Sequence, residues 1–312
     1  RRCGRTRTTT TRSWPRRSAA WSARRDGGVM GTRYCRHTDI LTSFSAVTLA
    51  SGTASDDPNY NLDALSDFDL SKPLKLVDGS PIEAVRVTWD HGEATRVDGF
   101  LLPKHNLDAS LAVLIQRNDT DDWSGSPAPS QSVAVTIAAV RPGAPGHSRS
   151  PWVDLTTAAG YDVGGFRYTS LYVPVNSVAP RLKAFLVAQW RTFEHGLLGT
   201  SVVVGHRRGF IPSVTTAYGV ESYYDQNVVQ RTVKGMLYAN PTDWQSMQDL
   251  TDDCSGCVYP FGFVLDDTVT DDGGLLVRMS ESMAAGLSAD YEGPALRPVN
   301  LDLVEVSRGL PY

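Results

Sequence analysis

Along most of this chain apolar and polar residues alternate with a period of two. In "AVRVTW", Val85, Val87 and Trp89 fall on one face of an extended segment. The same signature, or a short unbroken apolar run, recurs in "GFLL", "LAVLIQ", "VAVTIAAV", "WVDL", "FRYTSLYVPV" and "LKAFLVAQW", ending near Trp190. Turn-forming clusters separate these runs: "LVDGSP", "DHGE", "NDTDDWSGSPAPS" and "RPGAPGHSRS". Short strands punctuated in this way, with nothing helical between them, predict a mainly β fold and an antiparallel β-sandwich rather than a βαβ sheet.

A second β-rich block follows over 193–312. "RTFEHGLLGTSVVVGHRRGFIPS" reads as a connector with a strand or two, and "GVESYYDQNVVQRTVKGMLYAN" as a long strand or hairpin. "YPFGFVLDD", "LLVRMS" and "LRPVNLDLVEVS" supply further strands. The one clear helix is predicted near 241–253, in "NPTDWQSMQDLTDDC". Asn240 can cap it, Pro241 suits the first helical position, and Thr242 with Gln245 has capping-box spacing. Trp244, Met247 and Leu250 form an apolar stripe at helical spacing, which predicts core packing.

The stretch "VDGFLLPKHNLDASLAVLIQR", from Val97 to Arg117, places two apolar runs around a polar middle. His105 and Asn106 there could be a reaction centre or a ligand clamp. A turn explains more of the residues: Pro103 ends the first strand, Asn106 suits a tight reversal, and Leu107 tucks underneath. His105 is then expected at the surface.

The 312-residue chain is 41% hydrophobic and 21% charged, which reads as globular, and its length suits two domains. No stretch approaches the ~18–20 uninterrupted apolar residues of a membrane span. The net charge of −4 is unevenly spread. Residues 1–29 hold nine Arg against one Asp, giving +8, which leaves −12 for the remainder. An acidic body disfavours nucleic acid as a partner, since phosphate binding relies on a basic face. Residues 1–35 read as a disordered basic extension, with translation expected to begin at Met30; a transit peptide is the formal alternative. Four cysteines, Cys3, Cys35, Cys254 and Cys257, are too few for a disulfide scaffold and suit a reducing cytosol.

Motifs for reactive chemistry are sparse. Cys254-Ser-Gly-Cys257 could hold half of a zinc site, but no second pair or closely spaced His pair completes it, so an ordinary turn is expected. Asp252-Asp253, Asp266-Asp267 and Asp271-Asp272-Gly273-Gly274 do not match a cation-binding loop and read as solvated turns. There is no G-x-S-x-G, no H-E-x-x-H and no Gly-rich phosphate loop. His37, His91, His105, His147, His195 and His206 are scattered, mostly beside Gly or in polar turns, where exposure is the default. These readings name no catalytic residue, no metal and no cofactor. Seven Trp and twelve Tyr supply material for contact surfaces, with Trp123, Trp152, Tyr223 and Tyr224 placed in loops or turns.

"NYNLDALSDFDLSKPLKLVDG" followed by "VRVTWDHGEATRVDGFLLPKHNLDASLAVLIQR" resembles the amino-terminal half of tailed-bacteriophage virion proteins of the minor tail or baseplate-associated type. The matching positions are Asn61-Leu62, Pro73, Asp98-Gly99 and His105-Asn106-Leu107. That half is similar to a galactose-binding-like jelly roll, and the resemblance places it at 36–192. "RTVKGMLYANPTDWQSMQDL", "YPFGFVLDD", "LLVRMS" and "LDLVEVSRGLPY" resemble the closing domain of the same proteins. Glu305, Ser307, Arg308, Gly309, Leu310 and Pro311 carry the terminal motif. The row Lys72-Pro73-Leu74-Lys75-Leu76 departs from the family, where an aromatic or Arg often follows the Pro.

The resemblance implies a non-enzymatic structural subunit of a virion, assembled in the bacterial host cytoplasm. Its expected partners are other tail or baseplate proteins and further copies of itself. A carbohydrate-binding module is the alternative, recognising a host glycan through His105, Asn106, Trp123 or Trp152, with Trp123 in "NDTDDWSGSP" as the leading stacking surface. An envelope-degrading hydrolase is a third reading, for which no residue pair is singled out.

Overall fold

The computed structural model describes residues 29–40, 44–49, 52–53, 74–75, 84–103, 105–124, 128–138, 150–177, 180–182, 185–195, 197–198, 202–208, 214–215, 221–222, 229–268, 273–287 and 296–306. The chain is mainly β, and its sheets are antiparallel. In chain order the strands begin with β1 (Val29–Met30), β2 (Arg33–Cys35), β3 (Phe44–Leu49), β4 (Gly52–Thr53), β5 (Leu74–Lys75), β6 (Val85–Thr95), β7 (Gly99–Leu101) and β8 (Ala112–Asn118). They continue with β9 (Gln131–Thr136), β10 (Trp152–Asp154), β11 (Phe166–Val173), β12 (Arg181–Leu182), β13 (Leu186–Ala188), β14 (Arg191–Thr192) and β15 (Leu197–Leu198). The last are β16 (Val203–Arg208), β17 (Val214–Thr215), β18 (Glu221–Ser222), β19 (Val229–Ala239), β20 (Phe261–Val264), β21 (Gly274–Met279) and β22 (Arg297–Glu305). Two α-helices, α1 (Pro241–Asp253) and α2 (Glu281–Leu287), and two 3-10 turns, His37–Asp39 and Leu155–Thr157, complete the described elements.

Three sheets carry the architecture. A six-stranded sheet runs β4-β3-β6-β11-β8-β9, and a three-stranded sheet runs β10-β7-β13. A nine-stranded sheet runs β1-β15-β19-β22-β21-β20-β2-β14, with β16 paired to β19. Val85, Val87 and Trp89 of β6 pack with Ile115 of β8, Leu171 of β11, Phe100 of β7 and Val187 of β13, closing the six- and three-stranded sheets into a sandwich. The opposite face of the three-stranded sheet, through Leu101, Trp152, Leu186 and Ala188, packs on Cys35, Val264 and Leu276 of the nine-stranded sheet. The far face of that sheet buries Phe261, Phe263, Leu275 and Val277 against Trp244, Met247 and Leu250 of α1 and Met283 of α2.

The three-stranded sheet is therefore a middle layer covered on both sides. Its strands β7 and β13 are buried at every position. That explains why "GFLL" and "FLVA" are unbroken apolar runs rather than alternating ones. Gly99 and Gly262 sit where the layers approach closely. A Cβ on Gly99 would overlap the indole rings of Trp152 and Trp190, and one on Gly262 would lie 2.5 Å from both Cys35 Sγ and Trp190.

Several expectations are corrected by this arrangement. The "GFLL" and "LAVLIQ" strands do not form a hairpin: β7 pairs with β10 and β13, whereas β8 pairs with β11 and β9. The segment between them crosses from one sheet to the other. The basic extension, expected to run to 35, is shorter, because Arg33–Cys35 pairs with β20 and β14 and Tyr34 and Cys35 are buried. A three-residue strand is too short for its period to be read. Residues 1–28 lie outside the described residues. The sandwich core lies before 192/193 and the core under the helices, apart from Tyr34, after it, while a third cluster joins residues from both sides.

Helix α1 runs over the predicted residues. Asn240 caps it, its side chain accepting from the Asp243 amide at 2.7 Å, and Pro241 occupies the first turn. The Thr242–Gln245 capping box does not form, because Asn240 is the cap and Thr242 lies inside the first turn; Gln245 bonds Asp249 at 2.8 Å. Helix α2 was not anticipated; its seven residues are too few for a clear period.

Candidate functional site

The residues nominated by sequence separate into buried structural parts and one surface cluster. His105 is buried, not exposed: it forms a bridge with Leu182, and its Nδ1 accepts from the Leu107 amide at 3.2 Å. Asn106 is tied to the loop after β11. The buried Asn176 donates from Nδ2 to the Asn106 carbonyl at 3.4 Å and accepts from the Asp108 amide at 2.7 Å. Asp108 accepts from the amide and hydroxyl of Ser177, which hold its carboxyl below the usual range. Leu107 is buried in the sandwich core. This segment fixes the crossing between two sheets.

Trp152 is not available for contact. It is wholly buried in the middle layer, edge-on to Trp190 with ring centroids 4.4 Å apart. Of the terminal motif, Glu305 is described and Ser307, Arg308, Gly309, Leu310 and Pro311 lie outside the described residues. Glu305 is buried and grips Arg231 with both carboxylate oxygens, at 3.1 Å to Nε and 2.8 Å to Nη2. Arg231 also donates to Ser150 Oγ at 3.3 Å, at the entry to β10. The pair fastens β19, β22 and the segment leading into the middle sheet.

The Cys254–Cys257 turn carries two free thiols. Burial pushes the Cys254 thiol up to about 12, which keeps it protonated and a poor metal ligand. Among the described residues no group of three His, Cys, Asp or Glu side chains could hold a metal ion.

Two constellations escaped the sequence reading. In one, the buried Asp243 at the start of α1 accepts from the amides of Glu194 (2.7 Å) and His195 (3.2 Å) and faces His195 Nδ1 at 3.2 Å. Forty-eight residues separate that histidine from its carboxylate, so spacing could not pair them. The other lies inside the sandwich, where Arg117 donates to the carbonyls of Thr95 (2.6 Å) and Val97 (3.3 Å) with its guanidinium over the Phe166 ring. Burial lowers Arg117 to about 10. His91 Nε2 faces Thr169 Oγ1 at 3.0 Å, and burial, then Arg117, lowers His91 to about 4.

Trp123 belongs to a cluster on the outer face of the six-stranded sheet. Arg86 of β6 and Leu114 of β8 flank Tyr172 of β11 across the register. The Arg86 guanidinium lies 5.0 Å from the Tyr172 centroid and 5.2 Å from that of Trp123. Nη1 donates to Gln116 Oε1 at 2.7 Å and to Ser170 Oγ at 2.6 Å. Trp123 Nε1 donates to Asp121 at 2.7 Å, fixing the indole at the rim. Burial lowers the Arg86 pKa, with Tyr172 and Asp121 opposing that shift electrostatically. Both acceptors of Nη1 are neutral, and no carboxylate among the described residues is ion-paired with Arg86. The signal for Arg86 and Tyr172 was present in the period-two pattern, where both occupy outward positions.

No protein-family model matches the chain, and neither does any curated protein. Among solved structures, a selenomethionine-labelled mutant of chitosan-binding module 1, derived from a chitosanase/glucanase of Paenibacillus sp. IK-5, aligns with 50% of this chain and 99% of its own. The identity is 14% and the TM-score 0.33, a likeness too slight to assign a ligand.

Proposed function

We propose that this chain is a non-enzymatic structural subunit of a bacteriophage virion, tail- or baseplate-associated, that works by docking through its sheet faces. One observation carries the docking part: half of one face of the nine-stranded sheet has no covering layer among the described residues. Among the described residues, the middle sheet covers that face over β2, β20 and β21. Beyond it, β16, β19 and β22 present Val203 and Tyr238, 53% and 40% exposed, beside exposed Pro298 and Asn300. Lys234 and Asp302, 3.4 Å apart, lie among them. A face mixing Val, Tyr and a solvent-exposed ion pair has the composition of an interface. The virion context comes from the sequence resemblance alone.

The test is assembly. A Tyr238→Glu chain should fold, as judged by circular dichroism, yet fail to enter particles or to form oligomers by sedimentation. Unimpaired incorporation of that variant, or a wild-type chain that stays monomeric and never co-purifies with virions, refutes the reading.

A second reading, carbohydrate binding, is favoured by the Trp123–Arg86–Tyr172 cluster. Aromatic faces at the rim of a sheet suit sugar rings, and the adjoining amide of Gln116 is held in place by Arg86. A glycan array with wild type and Trp123→Ala tests it: binding by the first and not the second supports it, and no binding by wild type removes it.

A further inference from the structure

We infer that the Arg86 cluster is a site for a glycan bearing one isolated carboxylate, a single uronic-acid residue on an otherwise neutral oligosaccharide; this rests on the carbohydrate-binding reading and narrows it. The argument starts from the guanidinium. Arginine carries five N–H donors in a planar fork, and its Nε and Nη2 edge matches the two oxygens of a carboxylate. In Arg86 the donors used among the described residues are those of Nη1, to Gln116 and Ser170. The Nε and Nη2 edge makes no hydrogen bond among the described residues.

Elsewhere this chain gives such arginines a carboxylate or, at the buried Arg117, two backbone carbonyls. Arg167 meets Asp90, Arg191 and Arg36 meet Asp39, Arg96 meets Asp98, and Arg231 meets Glu305. Arg86 has neutral hydrogen-bond acceptors, with the Trp123 and Tyr172 rings 5.2 and 5.0 Å from its half-desolvated guanidinium and Asp121 acting on it electrostatically. A partly buried guanidinium with only neutral hydrogen-bond acceptors and an open donor edge gains when an anion completes it.

The chemistry favours a carboxylate on a sugar. The cluster offers one positive charge with Asp121 nearby, on a body whose sequence beyond residue 29 sums to −12. Polyphosphates and nucleic acids need a continuous basic surface and would meet net repulsion here. A single carboxylate needs one fork. The half-exposed Trp123 ring at the rim then supplies the apolar surface against which a pyranose ring packs.

The test compares a neutral oligosaccharide carrying one terminal glucuronic acid with its carboxyl-reduced, neutral counterpart on the wild-type chain by calorimetry, which needs no variant. The acidic oligomer should bind at least about tenfold tighter, the value of a charge-assisted hydrogen bond. Arg86→Lys, which keeps the charge and loses the fork, should forfeit most of that preference while its melting curve confirms folding. Equal binding of both oligomers overturns this inference and leaves the carbohydrate reading intact. Binding of neither, together with an array showing no glycan bound, overturns both. Binding of the acidic oligomer that survives unchanged in Arg86→Lys and Trp123→Ala places its site elsewhere and also overturns the inference.

Discussion

Replacing Gly262 by alanine tests whether the middle sheet is clamped between its neighbours. Gly262 lies in β20, and an added Cβ would stand 2.5 Å from Cys35 Sγ, 2.5 Å from Trp190 and 2.9 Å from Leu186 Cδ2. All three neighbours are buried, at 0%, 6% and 0% exposure, so none can swing into solvent. Inserting one carbon into a packed core costs about 1–3 kcal/mol. Three simultaneous overlaps, one with an indole, place this site in the upper part of that range. Alanine recovers about 0.5–1 kcal/mol of the backbone entropy that glycine loses in a strand. The net loss is about 1–2 kcal/mol, or a fall in Tm of about 2–8 °C at 2–4 °C per kcal/mol. Gly286→Ala in α2 is the matched control, since a Cβ there meets nothing within 4 Å. It should gain up to about 1 kcal/mol from helix propensity. Differential scanning calorimetry on both variants gives two shifts of opposite sign. A Gly262→Ala chain as stable as wild type would falsify the claim that these layers need the missing side chain.

Other perturbations have equally definite signs. Glu305→Ala leaves Arg231 charged and buried, and urea unfolding should show a loss of about 3–5 kcal/mol; a loss under about 1 kcal/mol would mean the pair is not a fastening. His91 has a folded pKa near 4, lowered by burial and then by Arg117, against about 6.5 when unfolded. The unfolded chain therefore binds the proton first, and stability falls as pH drops from 6.5 towards 4. The urea midpoint should drop more in wild type than in His91→Gln between pH 7 and 4.5; parallel curves would contradict this. Iodoacetamide at pH 8 should modify the half-exposed Cys257 and spare the buried Cys35 and Cys254 until the chain is unfolded, as read by peptide mass spectrometry.

What the sequence disclosed, and what it hid, follows from which interactions are local. The period-two alternation of "AVRVTW" depends only on one buried face and one open face, and β6 follows it. Helix α1 is bounded by its own residues, Asn240 and Pro241, so its limits were legible. The function of a buried polar side chain is set by a partner far along the chain: Glu305 by Arg231, Asp243 by His195, Asn106 by Asn176. Trp152 shows the same limit, because an aromatic beside a turn-rich segment looks alike whether it faces solvent or a second indole. Arg86 was passed over for the converse reason: an outward arginine on a strand is unremarkable until Tyr172 and Trp123 are placed beside it.

The sequence carries one further long-range signal. A strand that is apolar at every position needs cover on both faces, so each such strand implies a layer beyond the sheet it faces. "GFLL", "FLVA" and "FGFV" all have this property, and β7, β13 and β20 are buried throughout. A two-layer sandwich over 36–192 could not have covered the first two on their outer side. The missing cover had to come from the residues beyond 192, and it does, through Val264 and Leu276. Counting doubly buried strands thus requires the two halves to be built on one another. It follows that neither half should fold alone: cut at 192, each would expose to water the apolar face that Leu101, Trp152 and Leu186 share with Cys35, Val264 and Leu276.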